Sequence, residues 1–227
     1  MKKMFKVLLA VTLVGTPVLA AQAVTFGTPN VGQGDCFPFG CPSFHNQFEQ
    51  VYSSTVFTGP LSISSISFYN SIGTGVLGYD SYSVYLSQTS ANPASLSGTP
   101  SANVTGPETL FGTYVSSGGA TGSVFTLSGT AFNYDPSLGN LLLDIKFSVT
   151  NFNQNIAYFD LATTSTVGVV SDESPFAGDD DMKGKGLVTT FNLGSTAAVT
   201  PEPATMTLMA IGLVGMVPAF RRRKRQG

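Results

Sequence analysis

Between residues 141 and 149 the chain alternates strictly. Leu141, Leu143, Ile145, Phe147 and Val149 take one set of positions, and Leu142, Asp144, Lys146 and Ser148 the other. Successive side chains of a strand point to opposite faces, so this period of two predicts a strand with one buried and one exposed face. Asp80, Tyr82, Val84 and Leu86 interleave with Ser81, Ser83, Tyr85 and Ser87 in the same manner. Further apolar, β-branched runs predict strands at 51–57, 61–69, 109–115, 124–127, 156–161, 166–170 and 188–193. Turn-forming residues separate them, among them Thr58-Gly59-Pro60, Asn92-Pro93 and Asp135-Pro136-Ser137-Leu138-Gly139-Asn140. About nine short strands with no helical period between them predict an all-β fold, a single antiparallel β-sandwich of jelly-roll-like type. The stretch 87–105 is low in charge and rich in Ser, Thr, Asn and Pro, which reads as a polar, mobile connection.

The two ends break this pattern. At the N-terminus Lys2, Lys3 and Lys6 precede an apolar run from Val7 to Val14, and Ala21-Gln22-Ala23 follows as an A-x-A cleavage site. That order is the pattern of a secretory signal peptide occupying 1–23, with cleavage after Ala23 and a cut after Ala20 as the alternative. Signal peptidase and the Sec translocon are the partners it implies. At the C-terminus Thr200-Pro201-Glu202-Pro203 leads into an apolar stretch, 204–220, and then Arg221, Arg222, Arg223, Lys224 and Arg225. As a helix, 17 apolar residues span about 25 Å, close to the hydrocarbon thickness of a bilayer. Basic residues concentrate on the cytoplasmic flank, so the cluster is a stop-transfer signal that leaves Pro201–Pro203 outside. The body is thus one domain, 24–196, and 197–227 is a sorting address with a transmembrane helix.

The order Pro201-Glu202-Pro203, apolar helix, Arg-rich end resembles the PEP-CTERM sorting signal of Gram-negative bacteria. The resemblance implies that Pro201, Glu202 and Pro203 are recognised by exosortase, a multi-pass membrane protein with a cysteine-protease-like active site. It also implies an association with extracellular polysaccharide, and glycan attachment at Ser/Thr-rich segments. Two prolines in three residues keep this segment extended and poor in donors, which suits a processing site. The segments around Gln50-Val51-Tyr52, Phe57–Ile63 and Tyr134–Asp144 are similar to stretches of other PEP-CTERM carriers and imply no activity.

Charge changes the picture once the ends are set aside. Eight of the 11 basic residues lie in the two addresses, leaving Lys146, Lys183 and Lys185 against 13 acids between Val24 and Pro203, a net charge of −10 over the stretch 24–203. Nucleic acid is excluded as a partner, because affinity for phosphate needs clustered Lys and Arg. Cys36 and Cys41, in Cys-Phe-Pro-Phe-Gly-Cys, read as a local disulfide in an exported protein, with free thiols as the other state.

Candidate chemistry is sparse. His45 is the single histidine and has no partner for a metal set, and no Gly-x-Ser-x-Gly elbow occurs. Glu49, Glu108, Asp144 and Asp160 are carboxylates that a glycan hydrolase could pair, but only the fold can rank them. Asp179, Asp180 and Asp181 follow Asp172-Glu173 on a Gly-containing loop and are candidate calcium ligands, although the spacing is not that of an EF-hand; a solvated loop is the alternative. Tyr79 and Tyr85 could share an exposed face with Ser81 and Ser83 and meet a glycan, or pack as cross-strand pairs. Asn103-Val104-Thr105 fits an N-glycosylation acceptor. The function expected is that of an exported, non-enzymatic structural or adhesive protein of the cell surface or polysaccharide matrix, needing no cofactor and touching the inner membrane transiently. A carbohydrate- or calcium-binding module is the alternative, and a glycan hydrolase a third reading.

Overall fold

The computed structural model describes residues 22–30, 34–40, 46–71, 75–78, 80–116, 118–119, 121–149, 156–171 and 183–194. The chain divides into two units, Met1–Ser195 and Thr196–Gly227, and the second lies outside the described residues. Among the described residues the fold is all-β, with short 3-10 turns as its only helical elements, and no helix there is long and apolar enough to cross a membrane.

Among the described residues eleven strands form two sheets: β1 (Ala23–Phe26), β2 (Gly34–Asp35), β3 (Gln47–Tyr52), β4 (Leu61–Tyr69), β5 (Asp80–Thr89), β6 (Thr109–Val115), β7 (Val124–Tyr134), β8 (Asn140–Val149), β9 (Phe159–Ser171), β10 (Lys183–Leu187) and β11 (Thr189–Leu193). The smaller sheet has the order β1-β11-β4-β7, and the larger β10-β9-β3-β8-β5-β6, with β2 also on β9. Every pairing between these strands is antiparallel. The chain passes repeatedly from one sheet to the other, so hydrogen-bonded neighbours such as β3 and β8 are distant in sequence.

The predicted limits of β4 and β6 match the structure. The run predicted at 156–161 enters a strand only at Phe159 and continues through 166–170 as one strand, β9, and 124–127 is the start of the longer β7. The strand expected at 51–57 instead starts at Gln47 and stops at Tyr52, because Ser53 caps a 3-10 turn by accepting a hydrogen bond from Thr55 N. In β4 the apolar residues Ile63, Ile66 and Phe68 are spaced by three and then two, which strict alternation forbids. A register shift between Ile63 and Ser65 adds the extra residue and keeps all three buried.

Both sheets contribute to one core, and it is largely aromatic. Phe26 of β1 and Phe191 of β11 meet Tyr52 of β3 across the gap at 4.6 and 4.9 Å between ring centroids. A second group surrounds Phe39, whose ring stands 5.0 to 5.4 Å from Phe68, Phe125, Tyr82 and Phe159. Phe39 lies between the two cysteine positions. The loop that carries it is held by Gly40 N to Cys36 O, and the Phe39 carbonyl accepts from Gly78 N and the Tyr82 hydroxyl. Gly40 is required there: a Cβ would stand 2.2 Å from the carbonyl oxygen of Ala157.

The connection 90–108 departs furthest from expectation. It is a packed strap that crosses the outer face of the larger sheet, with Pro93, Pro100 and Asn103 buried. Its Pro93 carbonyl lies on Gly168 of β9, where a Cβ would come within 2.0 Å of the oxygen. Beneath the strap, Val51 and its cross-strand partner Leu142 are fully buried outside the main core. The strand face predicted to be exposed at Leu142 and Asp144 is therefore covered.

Candidate functional site: a buried carboxylate cluster

In β3, Phe48, Gln50 and Tyr52 alternate with Glu49 and Val51. Gln50 lies on the inner side and is satisfied there: its Nε2 donates to Leu187 O and its Oε1 accepts from Leu187 N, both at 2.9 Å. Glu49 points the other way, toward the strap. Strand register sets it directly opposite Asp144 of β8, and Asp144 in turn opposite Tyr85 of β5. Like charges at facing positions of an antiparallel pair are destabilising, so the site needs compensation.

Part of it comes from polar neighbours. Asn103 Nδ2 donates to Glu49 Oε2 at 3.0 Å, and Gln47 Nε2 to Asp144 Oδ2 at 2.9 Å. Lys146 Nζ lies 3.2 Å from Asp144 Oδ2 and 3.1 Å from both carboxylate oxygens of Glu108, and 4.6 Å above the centre of the Tyr85 ring. Glu49 and Asp144 are 0% and 1% exposed, and Glu49 Oε1 and Asp144 Oδ1 are both buried without a hydrogen-bond partner.

Burial pushes the Glu49 carboxyl up to about 8, and the charges of Asp144 and Glu108 add to that, against the opposing Asn103 hydrogen bond and Lys146. Asp144 is pushed up to about 6 by burial and by the Glu108 carboxyl, with Lys146 and Gln47 opposing. Partial burial works against the Lys146 ammonium, yet Glu108 and Asp144 outweigh it and raise that group. Both carboxyls are thus raised, and of the two Glu49 holds its proton to the higher pH.

Two carboxyls with separated titration are the signature of acid–base chemistry, but that chemistry also needs a substrate within hydrogen-bond reach. Here the strap covers both groups. A cavity of about 180 Å³ lies elsewhere, lined by Phe48, Leu161, Val169, Gly186 and Leu187 with Asp35 and Lys185, and includes no member of the cluster. Burial raises Asp35 against the backbone N–H groups of Phe37 and Cys36. Among the described residues no group of three or more His, Cys, Asp or Glu side chains is placed to hold a metal ion.

Three of the four carboxylates singled out from the sequence are thus brought together. The fourth, Asp160, is fully buried elsewhere and tethers two loops, accepting from Asn30 N at 2.6 Å and Ser71 N at 3.3 Å and also from the Ser71 hydroxyl. Asn103, read from the sequence as a glycosylation acceptor, is 2% exposed and committed to Glu49, so the folded chain does not present it. Sequence reasoning did not see it as a carboxylate partner, and no local signal could have indicated this. The face of Tyr85 is occupied by Lys146, and Tyr82 belongs to the core. Cys36 is disulfide-bonded. Ala23, the predicted cleavage position, is the first residue of β1 and pairs with Asn192. Cys41, His45, Tyr79, Asp179, Asp180, Asp181, Pro201, Glu202, Pro203, Arg221, Arg222, Arg223, Lys224 and Arg225 lie outside the described residues.

Comparison with known proteins places the one firm functional assignment at the C-terminus. Residues 199–225 match the family model described as the PEP-CTERM protein-sorting motif. The chain therefore carries a PEP-CTERM sorting motif at its C-terminus, and that signal implies export and a cell-surface or extracellular destination, with exosortase as the processing partner. No curated protein and no solved structure matches it.

Proposed function

We propose that the chain is an exported structural or adhesive protein of the cell surface or polysaccharide matrix, without enzymatic activity or cofactor, whose folded part is a jelly-roll-like sandwich. The signal peptide 1–23 directs it to Sec and signal peptidase, the C-terminal helix holds it transiently in the inner membrane, and exosortase processes it near Pro201, Glu202 and Pro203. The observation that carries this reading is the sorting motif at 199–225. The body adds support: its paired carboxyls are sealed beneath a strap instead of lining a cleft, which disfavours the glycan hydrolase. A glycan platform is also disfavoured at Tyr85, where an ammonium covers the ring.

Intact-mass analysis of the protein recovered from its native host tests the proposal. The expected product lacks the segment from Arg221 to Arg225; recovery with this tail attached, or from the cytosol, overturns it.

A further inference from the structure

We propose that the cavity between β3, β9 and β10 binds a free α-amino acid with an apolar side chain: the side chain enters the recess, the α-ammonium meets Asp35 and the α-carboxylate meets Lys185.

The floor of the cavity is apolar. Phe48, Val169 and Leu187 belong to the core that the two sheets share, and Leu161 packs against it. These side chains come from three strands that the β3–β9 and β9–β10 ladders hold as one wall, so the recess is part of the framework. About 180 Å³ of free volume remains among them. An engineered apolar cavity of about 150 Å³ admits a benzene-sized guest, so this space takes a branched aliphatic or aromatic side chain. A sugar ring in the same place would leave its hydroxyls without partners.

The charges decide which apolar guest fits. Asp35 and Lys185 are the charged residues that line the cavity, and they come to it from different strands. Strand β2 sets Asp35 against Phe159 of β9, and β10 sets Lys185 opposite Thr163 of the same strand. The Asp35 carboxylate is held in place by its own turn, its Oδ1 accepting from Phe37 N at 3.0 Å. Among the described residues no ion pair joins it to Lys185. Burial raises the Asp35 carboxyl, with only backbone N–H groups to oppose it, which marks an anion drawn away from water without a counter-ion. An apolar recess bordered by one anion and one cation is complementary to a zwitterion that carries an apolar group. A simple amine would set a like charge near Lys185, and a simple acid would do the same to Asp35.

Titration of the full chain in mild detergent with L-leucine, followed by proton–nitrogen correlation spectra, tests this. Shifts at Leu161, Val169 and Leu187 are expected to saturate, while glycine, with no side chain for the recess, gives none. Isopentylamine and isocaproate, which are leucine without its carboxylate and without its ammonium, separate the two charges. A charge-assisted contact is worth about tenfold in affinity, so Asp35→Asn, which keeps an acceptor for Phe37 N, is expected to weaken L-leucine and isopentylamine by about that factor and to spare isocaproate. Lys185→Gln is expected to weaken L-leucine and isocaproate and to spare isopentylamine. Absence of saturating shifts at millimolar L-leucine, glycine binding as well as leucine, or unchanged L-leucine affinity in both variants overturns the proposal. Should the variants not fold, the native chain decides: L-leucine must bind about tenfold more tightly than either analogue, and equal affinity for all three refutes the zwitterion site.

Discussion

Replacing Phe39 with alanine should be the most damaging single change in the cysteine loop, and it should cost more than removing the disulfide. The ring is 0% exposed and contacts four aromatic neighbours on four separate elements, at 5.0 Å from Phe68 and Phe125, 5.3 Å from Tyr82 and 5.4 Å from Phe159. Truncating a buried Phe costs about 3–5 kcal/mol, and the upper part applies here because β-sheet walls fixed by ladder hydrogen bonds cannot collapse into the space. A disulfide between Cys36 and Cys41 closes a loop of only six residues, for which loop entropy gives roughly 2 kcal/mol. For a body of this size each kcal/mol moves the melting temperature by about 2–4 °C. Thermal melts of the full chain, followed by circular dichroism at fixed pH, should drop by about 6–20 °C in Phe39→Ala and by about 4–8 °C in the Cys36→Ser/Cys41→Ser double variant. The half-buried neighbour is the control, and Phe37→Ala should fall well short of Phe39→Ala. If Phe39→Ala melts within a degree or two of the native chain, the assignment of this residue as the centre of its aromatic group is wrong.

Three further outcomes are expected. Glu49 and Asp144 are both raised in the folded chain, so between about pH 4.5 and 8 the unfolded chain binds fewer protons and stability falls as pH rises, by about 1.4 kcal/mol per unit for each proton involved; Glu49→Gln should flatten the part above pH 6, where Asp144 has already ionised, and denaturant titrations across this range measure it. Asp160→Ala leaves the amides of Asn30 and Ser71 without their buried acceptor and should cost about 3 kcal/mol, read as a shift in urea midpoint with unchanged slope. Cleavage after Ala23 removes the Gln22 carbonyl that accepts from Leu193 N and the Ala23–Asn192 pair, whereas cleavage after Ala20 keeps both; the N-terminal mass of the exported protein is expected to begin at Val24, as the signal peptide 1–23 gives, and a start at Ala21 would show instead that the Ala20 cut is used and β1 is kept whole.

The local grammar of the chain was enough for the strands and for the addresses. Period-two alternation located β5 and β8 closely, because which residues share a face is a property of the backbone alone, and apolar, β-branched runs located β4 and β6. The sorting motif was legible for a related reason: its meaning lies in residue order. The short β1 and β10 escaped notice, since four or five residues with Gly or a single buried side chain carry no period.

What a face is covered by is a different matter, and it belongs to tertiary structure. Leu142 and Asp144 sit at positions that alternation assigns to solvent, yet a strap from 34 or more residues upstream lies over them. Glu49, Asp144 and Glu108 are likewise separated by tens of residues, and only the β3–β8 register and the return of the strap make them neighbours. Alternation is short-range and survives in any context, so the chain by itself determined its strands, its acidic body and its sorting signal. Burial, orphaned oxygens and shifted titration arise from contacts between distant segments, whose closure depends on how the two sheets share one core, and these the folded arrangement alone decided.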